Sequence, residues 1–196
     1  AKSTAAAPIN FKVGLRHDMD IQFVIDPYVI SDDGIEKFDG VGDTQIRLKM
    51  NLWGNDSSGD AFAVMPFIQL PTSRNKIGST EVEGGLILPY ATTVSDSIGL
   101  GLMAEVDFVH DDLEDQYEIE YVGTGVLGLE INEKLGIYLE GIAVVKPDAD
   151  EEFTSILGIG TTYEIANDTV LDAGFNFGLE GDADTFNFFT GISIRY

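Results

Sequence analysis

Apolar side chains recur at every second position through most of the chain. The last segment, FNFFTGISIRY at 186–196, shows this most plainly, because Phe189 is the only large apolar residue out of phase before the terminal Tyr196. A period of two residues is that of a β-strand with one apolar and one polar face. Stripes with the helical period of 3.6 residues are absent. The pattern therefore predicts an all-β protein.

The alternation predicts about eleven strands, separated by clusters of Asp, Asn, Gly, Ser and Pro, which are turn-forming residues. The predicted strands cover 8–16, 18–30, 43–54, 61–71, 80–92, 97–110, 116–132, 135–146, 152–165, 169–180 and 185–196. Short turns alternate with longer, more acidic connections. This alternation is expected of an antiparallel up-and-down β-barrel of the bacterial outer membrane, in which the short turns are periplasmic.

The two faces of the predicted strands differ sharply in charge. The apolar stripe that is in phase with Tyr196 contains no charged residue in any strand. The charged residues collect on the opposite stripe, and in a membrane barrel they would line the lumen. They are Lys12, Arg16, Asp20, Asp26, Arg47, Lys49, Glu81, Glu83, Glu105, Asp107, Glu118, Glu120, Glu130, Glu140, Asp172 and Arg195.

Alternation alone does not say which stripe faces inward. In a soluble barrel the apolar stripe lines the interior, whereas in a membrane barrel it faces lipid, where a charge costs about 2–4 kcal/mol at the midplane. Many polar-face positions are glycine, and about eleven strands enclose more space than one layer of side chains fills. Aromatic residues also stand near the ends of the apolar stripe, as interfacial girdles do: Phe108, Tyr117, Phe153, Tyr163, Phe186 and Tyr196. These features favour the membrane barrel.

The composition of the chain excludes several kinds of partner and site. The chain has 196 residues, a formal charge of -23 and no cysteine. The length suits one barrel domain over 1–196, the acidity argues against nucleic acid as a partner, and the lack of cysteine excludes disulfides and thiolate sites. No apolar run reaches the roughly 20 residues of a membrane helix. No signal peptide is recognisable at the start, so we expect any signal to have been removed.

The strand number suggests that the barrel is incomplete in this sequence. Single-chain bacterial barrels have even strand numbers and both termini in the periplasm. We therefore expect about 12 strands, with one strand preceding Ala1. The alternative is that this assignment merges two strands or misses one, most readily in the long segment 116–132.

No catalytic constellation emerges from the sequence, and we expect neither enzymatic activity nor a cofactor. His17 and His110 fall at strand ends or turns, where solvated histidines are common. Neighbouring carboxylates such as Glu105 and Asp107 lie on one face of a strand, about 7 Å apart, and balance the basic residues of the same stripe. The acidic loops at 31–34, 111–115 and 148–152 contain oxygen ligands suited to calcium, but none has EF-hand spacing. We expect solvated loops and no metal site.

Several short motifs resemble an outer-membrane transporter family, catalogued as "putative meta-pathway of phenol degradation". Its members open a strand with Gly-x-Gly-Asp-Thr and close the next one with Leu-Pro-Thr-Gly, as do GVGDT at 40–44 and LPTS at 70–73 here. NEKLG at 132–136 and the closing residues 191–196 also fit. The resemblance runs from about Phe11 to the end. Ser73 replaces the usual glycine, and the family's acidic N-terminal segment is absent.

The resemblance implies a barrel that takes up aromatic or other hydrophobic compounds. Our leading hypothesis is passive diffusion of small solutes through the charged lumen, with the excess of carboxylates favouring cations or neutral solutes. A second hypothesis is a plugged barrel in the outer membrane that acts through its loops. A third is a soluble barrel that binds an apolar ligand. Expected partners are membrane lipid or lipopolysaccharide and a small solute.

Overall fold

The strands account for nearly all of the regular structure. A computed structural model describes residues 3–32, 37–54, 59–73, 77–112, 114–147, 152–181 and 183–196. Within these ranges there is no α-helix, and therefore none long and apolar enough to cross a membrane.

Eleven strands form one antiparallel sheet, in which pairing follows the order of these eleven strands along the chain. From one edge to the other the strands are β2 (Ile9–Arg16), β3 (Met19–Ile25), β6 (Thr44–Trp53), β7 (Asp60–Leu70), β8 (Glu83–Ser95), β9 (Ile98–Asp111), β10 (Gln116–Glu130), β11 (Leu135–Lys146), β12 (Glu152–Ala166), β13 (Thr169–Glu180) and β14 (Asn187–Ile194). The prediction of about eleven antiparallel strands is confirmed. The segment 116–130 is a single strand, so the alternative of two merged strands is wrong. A twelfth strand stays a prediction.

Three short strands form a second, antiparallel sheet that the sequence did not predict. They are β1 (Ser3–Ala6), β4 (Val29–Asp32) and β5 (Lys37–Gly40), in the order β1-β4-β5. The predicted strand 18–30 is wrong at its end, because β3 stops at Ile25 and Pro27 cannot donate a ladder hydrogen bond. The Gly42 amide donates a hydrogen bond to the Asp26 carbonyl oxygen at 2.8 Å. At this point the chain returns to the main sheet.

The connections define two ends of the main sheet. We call one the turn end, formed by the connections at 17–18, 54–59, 96–97, 131–134 and 167–168, and the other the loop end, formed by 26–43, 71–82, 112–115, 147–151 and 181–186. Contacts and backbone angles of nearby residues explain where the strands turn at the turn end. The Asn132 side-chain oxygen accepts hydrogen bonds from the amides of Lys134 and Leu135, at 3.0 and 3.1 Å. Gly54 ends β6 with a φ of 95°, which favours glycine.

The apolar stripe faces outward. At mid-strand, Leu127, Leu139 and Ile159 are 51%, 48% and 50% exposed, while the alternate side chains of the same strands are half-buried. Further large hydrophobic residues of this stripe are similarly exposed on β8 to β14, whereas Ile46, Leu48 and Met50 on β6 are half-buried. A soluble barrel would enclose this stripe, so the third hypothesis is wrong for this structure.

Exposed aromatic residues stand at both ends of the outer stripe. On β12, Phe153 lies at the loop end and Tyr163 at the turn end. At about 3.3 Å per residue and a strand tilt near 40°, the axial distance between them is about 25 Å, the height of the apolar band of outer-membrane barrels. Trp53 extends the girdle at the turn end, where its ring stacks on Phe62 at 4.9 Å and its indole N–H donates to Asp60.

Candidate solute pathway

The charged stripe occupies the inner face of the sheet, opposite the apolar stripe. Cross-strand pairs keep these positions in one phase: Asp20 pairs with Lys49, and Asp107 pairs with Glu120. The predicted residues that are half-buried on this face are Asp20, Arg47, Lys49, Glu83, Glu105, Asp107, Glu118, Glu120, Glu140 and Asp172.

The remaining predicted residues lie on an edge strand, at a strand end or outside the strands. Lys12 and Arg16 are exposed on β2, an edge strand, and Glu130 is the exposed last residue of β10. Asp26 follows β3. Two further residues fall outside the strands: Glu81 precedes β8, which begins at Glu83 instead of the expected 80, and Arg195 follows β14.

One row of inner-face residues crosses the sheet from β6 to β11. Arg47 pairs with Phe67, Phe67 with Gly85, and Gly85 with Asp107. Arg47 interacts electrostatically with Glu105 and Asp107 of β9. The row then continues to Glu120 and to Lys146, whose Nζ lies 3.4 Å from Glu120 Oε2.

The strand order separates the two signs of charge on the inner face of the sheet. Arg47 and Lys49 lie on β6. The next strands toward that edge of the sheet are β3 and then β2, and β2 carries Lys12 and Arg16. The carboxylates concentrate on β9 to β13, with Lys146 as a basic exception there and Asp20 as an acidic exception on β3. The predicted acidic residues of that wall are Glu105, Asp107, Glu118, Glu120, Glu130, Glu140 and Asp172. The inner face of the sheet therefore has a basic side and an acidic side.

A cavity of about 600 Å³ opens on the inner face at the loop end. Val29 of the small sheet forms one side, and inner-face residues of the main sheet, including Gln45, Arg47 and Glu83, form the other. The volume lies within the range of small-molecule sites, about 300–1,000 Å³. Burial in this cavity raises the pKa of Asp26 above its ordinary value, and the nearby Asp43 carboxylate raises it further.

Asp43 fixes the loop that borders the cavity. Its Oδ1 accepts a hydrogen bond from the Ser73 amide at 2.9 Å, and its Oδ2 accepts one from the Ser79 amide at 2.8 Å. Both bonds have an ionised acceptor, which makes them stronger than neutral hydrogen bonds. The aspartate of the GVGDT motif therefore holds the 71–82 loop against the start of β6.

Replacing Asp43 with alanine is expected to release this loop. Loss of two hydrogen bonds to a charged acceptor, each worth about 1.5–3 kcal/mol, should greatly reduce the hydrogen-exchange protection of the Ser73 and Ser79 amides. Hydrogen exchange read by mass spectrometry or NMR measures this change. Asp96→Ala, in an exposed turn at the other end, is the matched control. Unchanged protection at both serines would show that other contacts hold the loop.

His110 and Asp112 tie the neighbouring loops together at the same rim. The His110 side chain is only 7% exposed, its Nδ1 lies 3.1 Å from Asp112 Oδ1, and its ring meets Tyr117 edge-on at 5.2 Å. Hydrogen bonds with Thr80 and His110 lower the pKa of Asp112 below its ordinary value. His110 was expected to be solvated, and the structure encloses it instead.

Nothing in the described ranges gathers three or more His, Asp or Glu side chains in a way that could hold a metal ion. Of the three acidic loops considered for calcium, 31–34 and 111–115 are described only in part, and residues 148–151 of the third lie outside the described residues. His17 is exposed in the β2–β3 turn, where its Nδ1 lies 3.7 Å from Asp18 Oδ1.

Three inner-face aromatic residues were not predicted as part of the lumen: Phe67, Tyr138 and Phe189. Each stands directly across from a glycine of the adjacent strand. Phe189 is the residue that interrupts the apolar alternation of the last strand, and it lies on the inner face of the sheet. In the sequence, these aromatic residues stand out because they fall on the otherwise polar stripe, which also carries many glycines. Which aromatic residue faces which glycine depends on the strand register, and the sequence alone does not give that register.

Solved outer-membrane channels share this fold. The NanC porin is 9% identical and superposes with a TM-score of 0.72, over 100% of this chain and 96% of the porin. An outer membrane channel from Pseudomonas putida F1 is 11% identical and superposes with a TM-score of 0.76, over 99% of this chain and 84% of that one. Among curated protein sequences, no significant match was found.

The family comparison agrees with the motifs. Residues 9–196 match the family described as "Putative MetA-pathway of phenol degradation", which confirms the resemblance seen in the sequence. The match covers the whole eleven-stranded sheet, its short turns and the loops at its other end. The fold is that of outer-membrane β-barrel channels, and the chain belongs to the "Putative MetA-pathway of phenol degradation" family.

Proposed function

We propose that this protein is a passive channel of the bacterial outer membrane that lets small solutes diffuse through its lumen. The observation that carries the proposal is the division of the sheet into an exposed apolar outer face and a charged inner face. The outer face suits lipid, where charges are costly, and the inner face suits water and polar solutes. The short turns of the turn end would then face the periplasm.

The lumen-lining residues would set the charge preference. Carboxylates outnumber basic side chains among them, so the average potential in the lumen favours cations and neutral solutes over anions. The cavity at the loop end, between Asp26 and Arg47, would be the first enclosed space that a solute meets. The family description refers to phenol degradation, and on that basis we include small aromatic compounds among the solutes.

Reconstitution of the purified protein tests this function. In planar bilayers we expect discrete conductance steps that are absent from heat-denatured protein. In liposomes we expect swelling with small neutral and aromatic solutes, and progressively less swelling as solute size increases. A folded protein that produces neither conductance nor swelling would refute passive transport. The plugged barrel would then be the better account of the same fold.

A further inference from the structure

The inner-face aromatic residues of the main sheet share one arrangement. In the described part of that sheet they are Phe67 on β7, Tyr138 on β11 and Phe189 on β14, and their register partners are Gly85, Gly160 and Gly174. At Gly160 and Gly174 the aromatic side chain is what a Cβ of the glycine would meet first, whereas at Gly85 Asp107 Oδ1 and the Val106 carbonyl oxygen lie closer to that position than the Phe67 ring does. The nearest ring carbons lie 2.8 Å from that position at Gly85, 2.4 Å at Gly160 and 2.5 Å at Gly174.

We propose that these aromatic–glycine pairs set the free width of the lumen, with Gly160 holding the Tyr138 ring flat against the wall. A ring that lies on a glycine takes up little of the lumen. The same ring standing away from the wall would project toward the barrel axis, where pore diameter limits the solutes that pass. Aromatic side chains that cover glycines on a neighbouring strand are a known stabilising arrangement in sheets.

Gly160 is the clearest of the three positions for a test. The three atoms nearest its missing Cβ all belong to the Tyr138 side chain, with Oη at 2.3 Å, Cζ at 2.4 Å and Cε1 at 2.8 Å. At Gly85 and Gly174 a backbone carbonyl oxygen also lies within 2.7 Å of the missing Cβ. A methyl group at Gly160 therefore displaces a side chain, whereas at the other two glycines it also strains the backbone.

Tyr138 has a second glycine on its other side, and this supplies the control. Gly128 of β10 is its register partner there, and a Cβ at Gly128 would have no heavy atom within 4 Å. Gly128→Ala thus adds the same methyl group without moving the ring. Gly128→Ala combined with Gly160→Ala fills the wall on both sides of Tyr138 and leaves the lumen as the only free direction for the ring.

The experiment compares single-channel conductance and solute size limits for four proteins. Gly128→Ala should match the wild type. The double variant should lose about twofold in conductance, because conduction follows the pore cross-section. Adding Tyr138→Ala to the double variant should restore conductance to at least the wild-type level. If the double variant conducts like Gly128→Ala, the proposal on lumen width is wrong.

A crystal structure of the double variant provides a measurement that does not depend on transport. We expect the Tyr138 ring to have left position 160 and to point into the lumen, and a ring still lying on the wall would overturn the inference. This inference rests on the proposed channel function only for its conductance effect. A wild-type protein without conductance would refute the function, whereas the ring position in the variant would still decide whether the glycine controls lumen width.

Discussion

An Ile159→Arg variant should lose about 2–4 kcal/mol in free energy of unfolding when the protein is folded into a lipid bilayer. Ile159 lies on the outer face of β12, between Phe153 and Tyr163, and its side chain is 50% exposed. Its cross-strand partner on β11 is Leu139, another exposed apolar residue. An arginine at this site would place a charge near the middle of the apolar band.

Ile165→Arg is the matched control, because Ile165 belongs to the same stripe but lies beyond Tyr163, at the turn end. There the cost should fall to about 0–1 kcal/mol. Urea unfolding in lipid vesicles, followed by the fluorescence of the single tryptophan, Trp53, measures both values. Equal and small losses in the two variants would mean that this stripe does not contact lipid.

Neutralising the pair Glu105 and Asp107 should reduce the preference of the channel for cations. These carboxyl groups lie on β9 and interact with each other and with Arg47 on β6. In the Glu105→Gln/Asp107→Asn variant we expect the cation-to-anion permeability ratio to fall about fivefold, since a unit charge at about 4 Å in water is worth about 1 kcal/mol. The reversal potential in a potassium chloride gradient measures this ratio.

Arg47→Gln provides the opposite arm of the same experiment. Removing the basic partner should raise the permeability ratio for cations, because Glu105 and Asp107 then lose the basic side chain with which they interact. Glu130→Gln, at the exposed turn end of β10, should have a smaller effect than either inner variant. Ratios that change in the same direction for both inner variants would show that these side chains do not set the charge preference.

The main sheet was predictable because its signals are local. Alternation identifies a strand without knowledge of its partners, and residues such as Asn132 form turns through contacts with the next two or three residues. The predicted boundaries generally agree with the observed ones to within about three residues, which is the usual reliability of strand ends. The largest deviation at a strand end is β3, where Pro27 was a signal for an earlier stop that the alternation through Ile30 concealed.

The small sheet and the lumen contacts could not be predicted in the same way. β1, β4 and β5 are each four residues long, too short for a periodic pattern, and β1 pairs with a strand more than twenty positions away. Likewise, the position of Phe189 opposite Gly174 depends on the register between β13 and β14. Sequence periodicity assigns a face to each residue, whereas register decides which residues on that face meet.

The difference between the apolar outer face and the charged inner face of the strands also constrains how the protein can enter a bilayer. Most strands of the main sheet carry polar or charged side chains on the inner face, and each strand between the two edges makes its backbone hydrogen bonds with two neighbouring strands. A strand inserted alone would carry unpaired amides, carbonyls and charged side chains such as Glu120 into hydrocarbon, at several kcal/mol per unpaired group. Stepwise insertion, strand by strand, is therefore unfavourable. The sheet has to pair while it inserts, so that hairpins or larger assembled units cross the lipid surface together.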